Sequence, residues 1–109
     1  MVNEEKLEQI MLELGHRDNI LGTGYLRAAV ALYDRGMSIT KELYPALAAA
    51  FASTPIRVER AMRHSITTAW DRGDQEVQLR YFGYTISPAR GVPTVSEYIA
   101  RMSRVCHED

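Results

Sequence analysis

The 109-residue sequence has few of the features that anchor, cross-link or export a chain. Its single cysteine, Cys106, cannot form an internal disulfide, and a lone thiol fits a reducing cytosol. The longest unbroken apolar run, residues 46–52, falls far short of the ~18 residues that a membrane span needs. The opening MVNEEKLEQ is acidic and contains no apolar stretch, which is not what a secretory signal looks like. There is no internal repeat, no low-complexity tract, no linker and no strand-like alternation of useful length. Charge of one sign is scarce as well. Thirteen Lys and Arg face 14 Asp and Glu, a net of −1, which taken alone argues against a nucleic-acid partner. What remains is 46% apolar and 25% charged, the mix of a folded domain. The length fits one domain, residues 1–109, with one modest core.

The charge is unevenly placed. Residues 1–18 carry two basic and five acidic side chains, a net of −3. Residues 53–90 carry six basic and four acidic ones, a net of +2, and all six bases are arginine. An acidic first segment therefore masks a basic middle. Arginine suits bidentate contacts to phosphate and guanine better than lysine does.

Helical spacing and breakers divide the chain into about six helices in an all-α bundle. Residues 3–14 place Leu7, Ile10, Met11 and Leu14 on one face, with Asn3 as N-cap and Gly15 as stop. Residues 23–35 repeat the pattern up to Gly36. Ser38 or Thr40 caps a third helix reaching Ala52, and Glu42, two or four residues on, does not make a strict capping box. Ser53-Thr54-Pro55 combines a capping hydroxyl with proline at the first helical position, predicting a helix over 55–72 that stops at Gly73. A turn or two is expected over 74–82 and a loop over 83–93. Thr94 starts a last helix ending near Val105.

The helices near 40–52 and 55–72 have helix-turn-helix spacing. At 100° per residue the second divides into two arcs. Val58, Ala61, Met62, Ser65, Ile66 and Ala69 form an inward arc; Arg57, Arg60, Arg63, His64 and Thr67 form an outward one. Cations clustered on the N-terminal half of an exposed helix face suit major-groove readout. Ser53, Thr54 and the first amides could hold a phosphate. The competing reading is an amphipathic helix with solvated arginines, in which Glu59 simply pairs with Arg63 four residues on.

The runs SITKELYPALAAAFASTPIRVERAMRHSITTAWDRG and FGYTISPARGVPTVSEYIARM decide between these readings. In combination, RVERA-RH at 57–64, Ala69-Trp70 before Arg72-Gly73, and Phe82-Gly83-Tyr84-Thr85 resemble the C-terminal effector domain of the stage-zero sporulation response regulator family. The resemblance runs from about Leu7 to the end. It implies six helices around a helix-turn-helix and a sequence-specific regulator of double-stranded DNA, in the bacterial cytoplasm and at the nucleoid when bound. Arg57, Glu59 and Arg60 match residues lying in the major groove of the family's operator box. Arg60 would read guanine, and Glu59 would accept from a cytosine amino group. Ser53, Thr54, Arg63, His64 and Arg90 would contact backbone or flanking bases. The segment with Glu76, Arg80 and Tyr81 matches a region that touches the polymerase sigma subunit. The last helix, with Tyr98 and Met102, matches one used in head-to-tail dimers on DNA, core packing being the alternative for both residues. A protein-interaction module that modulates a full-length regulator or the polymerase is the rival function.

The sequence departs from the family in four places, one of them the loop before Pro93, which is less basic with Gly91-Val92. No receiver domain precedes this one, so phosphorylation in cis is not expected to switch it. Ala48-Ala49-Ala50 stands where the family carries lysines, and each lost phosphate contact removes ~0.9 from the salt slope and some affinity. Ile56 replaces a small polar residue and removes a phosphate hydrogen bond. His16, His64, Cys106 and His107 are not at ligand spacing, and the last two are expected at a frayed end, so no metal or other cofactor is expected. Gly22-Thr23-Gly24 lacks the rest of a phosphate loop, and nothing is placed as a nucleophile or acid–base pair, which leaves no small-molecule substrate and no enzyme.

Overall fold

Six α-helices form in chain order: α1 (Glu4–Glu13), α2 (Leu21–Leu32), α3 (Tyr44–Ala50), α4 (Pro55–Arg72), α5 (Gln75–Phe82) and α6 (Val95–Val105). The structure is a computed structural model, and it describes residues 2–83 and 91–107. There are no strands among them, and no helix is long and apolar enough to cross a membrane. Tyr84, Thr85 and most of the 83–93 loop lie outside the described residues.

Local side-chain chemistry starts four helices where the sequence places them. Asn3 accepts from the Lys6 amide at 3.1 Å, Thr54 from Arg57 at 3.2 Å, and Asp74 from Glu76 at 2.9 Å. Thr94 and Glu97 form a reciprocal capping box, with bonds of 3.1 and 2.8 Å.

Two ends differ from expectation. α2 stops at Leu32 because Tyr33 turns to an extended conformation, three residues before the expected end. The third helix stops at Ala50 instead of Ala52. Ala52 adopts a left-handed φ of 51°, and the Ser53 amide returns to the Ala48 carbonyl at 2.8 Å. This is the bonding of a Schellman turn with alanine in the usual glycine position.

A π-helical turn, Ile39–Leu43, leads into α3. Ser38 accepts from the Lys41 amide (3.1 Å), while the Glu42 carboxylate accepts from the Ser38 amide (2.9 Å). The reciprocal cap thus exists after all, spread over one extra residue because the turn is wider. Pro45, which cannot donate to a carbonyl behind it, follows at the start of α3.

The core joins Leu7, Met11 and Leu14 of the first segment, Leu26 of α2, Leu43 and Leu47 around α3, Met62 and Ile66 of α4, and Tyr98, Ile99 and Met102 of α6. Trp70, Phe82 and Tyr98 meet as an aromatic cluster, with ring centroids 5.0–6.2 Å apart. The carboxyl end is tied down. The Cys106 carbonyl accepts from the Asn3 amide at 2.8 Å, Val2 bridges His107, and the Cys106 side chain is buried. That corrects the expected fraying of Cys106-His107. A backbone bond to the first helix holds the segment, and burial raises the thiol pKa.

Candidate nucleic-acid interface

Helix α4 is gripped at three points along its length. Near its N-terminal half, Gly22 of α2 sits so close that a Cβ there would lie 1.8 Å from the Ala61 carbonyl oxygen. At its C-terminal end, a Cβ on Gly73 would meet the Ala69 and Leu14 carbonyls, each at 2.6 Å. Gly73 is therefore needed for close approach, since its φ of −77° is open to any residue. Gln78 adds a side-chain bond to the Trp70 carbonyl at 3.1 Å, covering one of the last helix carbonyls.

The third grip is a buried polar chain. Thr23 Oγ1 lies 2.9 Å from Ser65 Oγ, Ser65 Oγ 2.8 Å from His16 Nδ1, and His16 Nε2 2.8 Å from the Tyr98 hydroxyl. It links α2, α4, the segment after α1, and α6. A neutral imidazole has one N–H, so His16 donates to one of Ser65 and Tyr98 and accepts from the other. Burial, helped by the Arg27 cation, lowers the His16 pKa from 6.5 to about 4. Burial pushes the Tyr98 phenol well above its ordinary value.

With its inner face fixed, α4 presents the other side outward. Val58, Met62, Ser65, Ile66 and Ala69 are buried and Ala61 is half-buried, matching the inward arc. Arg57, Arg60, Arg63, His64 and Thr67 are all exposed. The cations thus share one side of the helix, concentrated toward its capped N-terminus, where the partial positive charge of the helix adds to theirs. Ser53 is half-buried and Thr54 exposed at that end. Arg90 lies outside the described residues.

Glu59 is held by Arg63 through both guanidinium Nε, at 3.0 Å, and Nη2. The i,i+4 pair expected from spacing is formed, and the Glu59 carboxylate is committed to it in the free chain. Of the three alanines that replace expected lysines, Ala48 is buried, while Ala49 and Ala50 face solvent.

The expected partner residues separate into two groups. Glu76 and Arg80 are exposed on α5. Tyr81 is half-buried: its hydroxyl donates to Glu13 at 2.7 Å and its carbonyl accepts from Arg101 at 2.6 Å, which joins α5 to α1 and α6. Tyr98 and Met102 are each 0% exposed, so neither side chain can meet a partner from the α6 surface. Their assignment as partner contacts is corrected to core packing, because the inner stripe of α6 carries both into the aromatic and aliphatic centre.

Sequence reasoning missed the polar chain. It treated His16 only as a non-ligand and Ser65 as an exception within an apolar arc. The available signal was that exception, since a buried hydroxyl needs a partner.

The family described as "Sporulation initiation factor Spo0A C terminal" matches residues 7–105, nearly the whole chain. It is a family of transcription-factor domains and not of enzymes. The chain belongs to that Spo0A C-terminal family, a family of DNA-binding sporulation regulators.

Proposed function

We propose that this chain is a sequence-specific binder of double-stranded DNA that lays α4 in the major groove and acts as one effector domain. The observation that carries the reading is the exposed set Arg57, Arg60, Arg63 and His64 on the N-terminal half of a capped helix whose opposite face is fully packed. Arg57 and Arg60 are the base readers, with the Arg60 fork suited to guanine O6 and N7. Glu59 accepts from a cytosine amino group while keeping Arg63 in place. Thr54 and Ser53 hold a phosphate at the start of the helix, and Arg63, His64 and Arg90 flank them.

Exposed Ala49 and Ala50 leave the end of α3 without cations, so affinity per domain is low and the salt dependence shallow. A duplex selected from a randomised pool, titrated by gel shift against its scrambled version, tests the reading. Arg60→Ala should weaken binding to the selected duplex about 5- to 150-fold, with little change toward the scrambled one. Equal affinity of the unaltered protein for both duplexes at moderate salt would sink the idea.

The second reading is a protein contact made through α5 to the polymerase sigma subunit. The exposure of Glu76, Leu79 and Arg80 along one short helix supports it. In that case changes at Glu76 and Arg80 remove the cellular effect while leaving duplex binding intact.

A further inference from the structure

Ile56 is the second residue of α4 and is 66% exposed. No packing role accounts for it, because the inward arc of the helix begins at Val58. Residues four and seven positions further along a helix lie on the same ridge, so Ile56 heads the line that continues through Arg60, Arg63 and Thr67. Arg57 and His64 flank that line. An apolar side chain thus stands beside Arg57 and one turn from Arg60.

That setting points to one occupant. A stable protein interface buries about 800 Å² per partner, far more than one isoleucine offers. The nearest exposed aromatic in sequence, Phe51, already has its ring 4.8 Å from that of Tyr25. Cations that attract a phosphate backbone, with a single apolar group at the entering end of the helix, fit a duplex groove. The one apolar group on a major-groove edge is the 5-methyl of thymine. We infer that Ile56 is a specificity-determining residue that packs on a thymine 5-methyl beside the base pair read by Arg57 and Arg60. The inference rests on the major-groove reading of α4.

Ile56 suits the task for two reasons. Its branched Cβ restricts χ1, so little freedom is lost on contact. Its methyl groups also exclude water from the neighbouring arginine–base hydrogen bonds, much as near-neutral contacts surround a hot spot.

The test removes one methyl group from the DNA. In the selected duplex each thymine is replaced in turn by deoxyuridine, and every duplex is titrated with the full chain and with its Ile56→Ser and Ile56→Val variants. At one thymine, deoxyuridine should weaken the unaltered protein and Ile56→Val about threefold to fourfold, the size of one buried methyl. Ile56→Ser should bind the thymine and deoxyuridine duplexes alike. Specific binding that no deoxyuridine alters, or that deoxyuridine alters equally in unaltered and Ile56→Ser protein, overturns this inference and leaves the major-groove reading standing. Failure to select any duplex overturns both. Exposure of the side chain keeps both variants folded, which circular dichroism verifies.

Discussion

Gly22→Ala should lower stability by at least about 3 kcal/mol, while Gly24→Ala, two residues further along α2, should raise it by ~0.5–1 kcal/mol. A Cβ at Gly22 would sit 1.8 Å from the Ala61 carbonyl oxygen, 2.4 Å from its carbon and 2.9 Å from the Met62 nitrogen. All three are backbone atoms of α4, so no rotamer change relieves the clash. The two helices must separate by roughly 1.5 Å, which opens the core on both sides of the crossing. At Gly24 nothing lies within 4 Å of the added methyl, so only the helix-propensity gain is felt. Thermal melts of the two variants read the difference directly: a fall of roughly 10–20 °C against a small rise. Similar melting temperatures for both would mean that α2 and α4 do not cross at Gly22. Because Ala61 and Met62 lie between Arg60 and Arg63, Gly22→Ala should also impair duplex binding under conditions where it still folds.

Acidification should remove about 3 kcal/mol of stability between pH 6.5 and pH 4. The His16 imidazole is neutral in the fold, with its pKa lowered from 6.5 to about 4, first by burial and then by the Arg27 cation. Below pH 6.5 the unfolded chain takes up a proton that the folded chain refuses. The contribution is therefore complete above pH 6.5 and is lost progressively as the pH falls toward 4. Each unit of difference is worth 1.36 kcal/mol, which over the interval from 6.5 to about 4 gives the stated total. Urea unfolding at a series of pH values should show this slope. His16→Asn should be less stable at pH 7, because the Ser65 and Tyr98 hydroxyls lose their shared partner, and flatter between pH 6.5 and 4. An unchanged slope in that variant would assign the acid sensitivity to other groups.

Both results turn on features that one sequence displays without distinguishing. Gly22 and Gly24 look alike in the chain, and only the approach of α4 separates them. Gly73 was legible as a helix end, yet the reason is the backbone of Leu14 and Ala69 rather than a left-handed turn. The left-handed residue after α3 is Ala52, which costs roughly 1–2 kcal/mol relative to glycine and gives no sign in the letters. What was legible had local causes. Asn3, Thr54 and Thr94 cap through their own side chains, and the two arcs of α4 follow from helical period alone. The Glu59–Arg63 pair follows from four-residue spacing. Tyr98 and Met102 illustrate the limit at the site: a family likeness carried over by position names a helix, but its rotation against the core decides which side chains face outward.

The π-helical turn ahead of α3 has a consequence for how the chain tolerates changes of length. A wide turn of this kind is what one inserted residue makes of an ordinary α-turn. Here Ser38 and Glu42 grip each other across that extra residue, and Leu43, Tyr44, Leu47 and Ala48 remain in phase with the core. Removing one residue from 39–41 would leave Ser and Glu three apart, the spacing of a standard capping box, with everything from Leu43 onward unshifted. The segment uncouples the number of residues from the phase of the helix. A change of length within this segment that would turn the side chains of α3 away from their partners can be absorbed here.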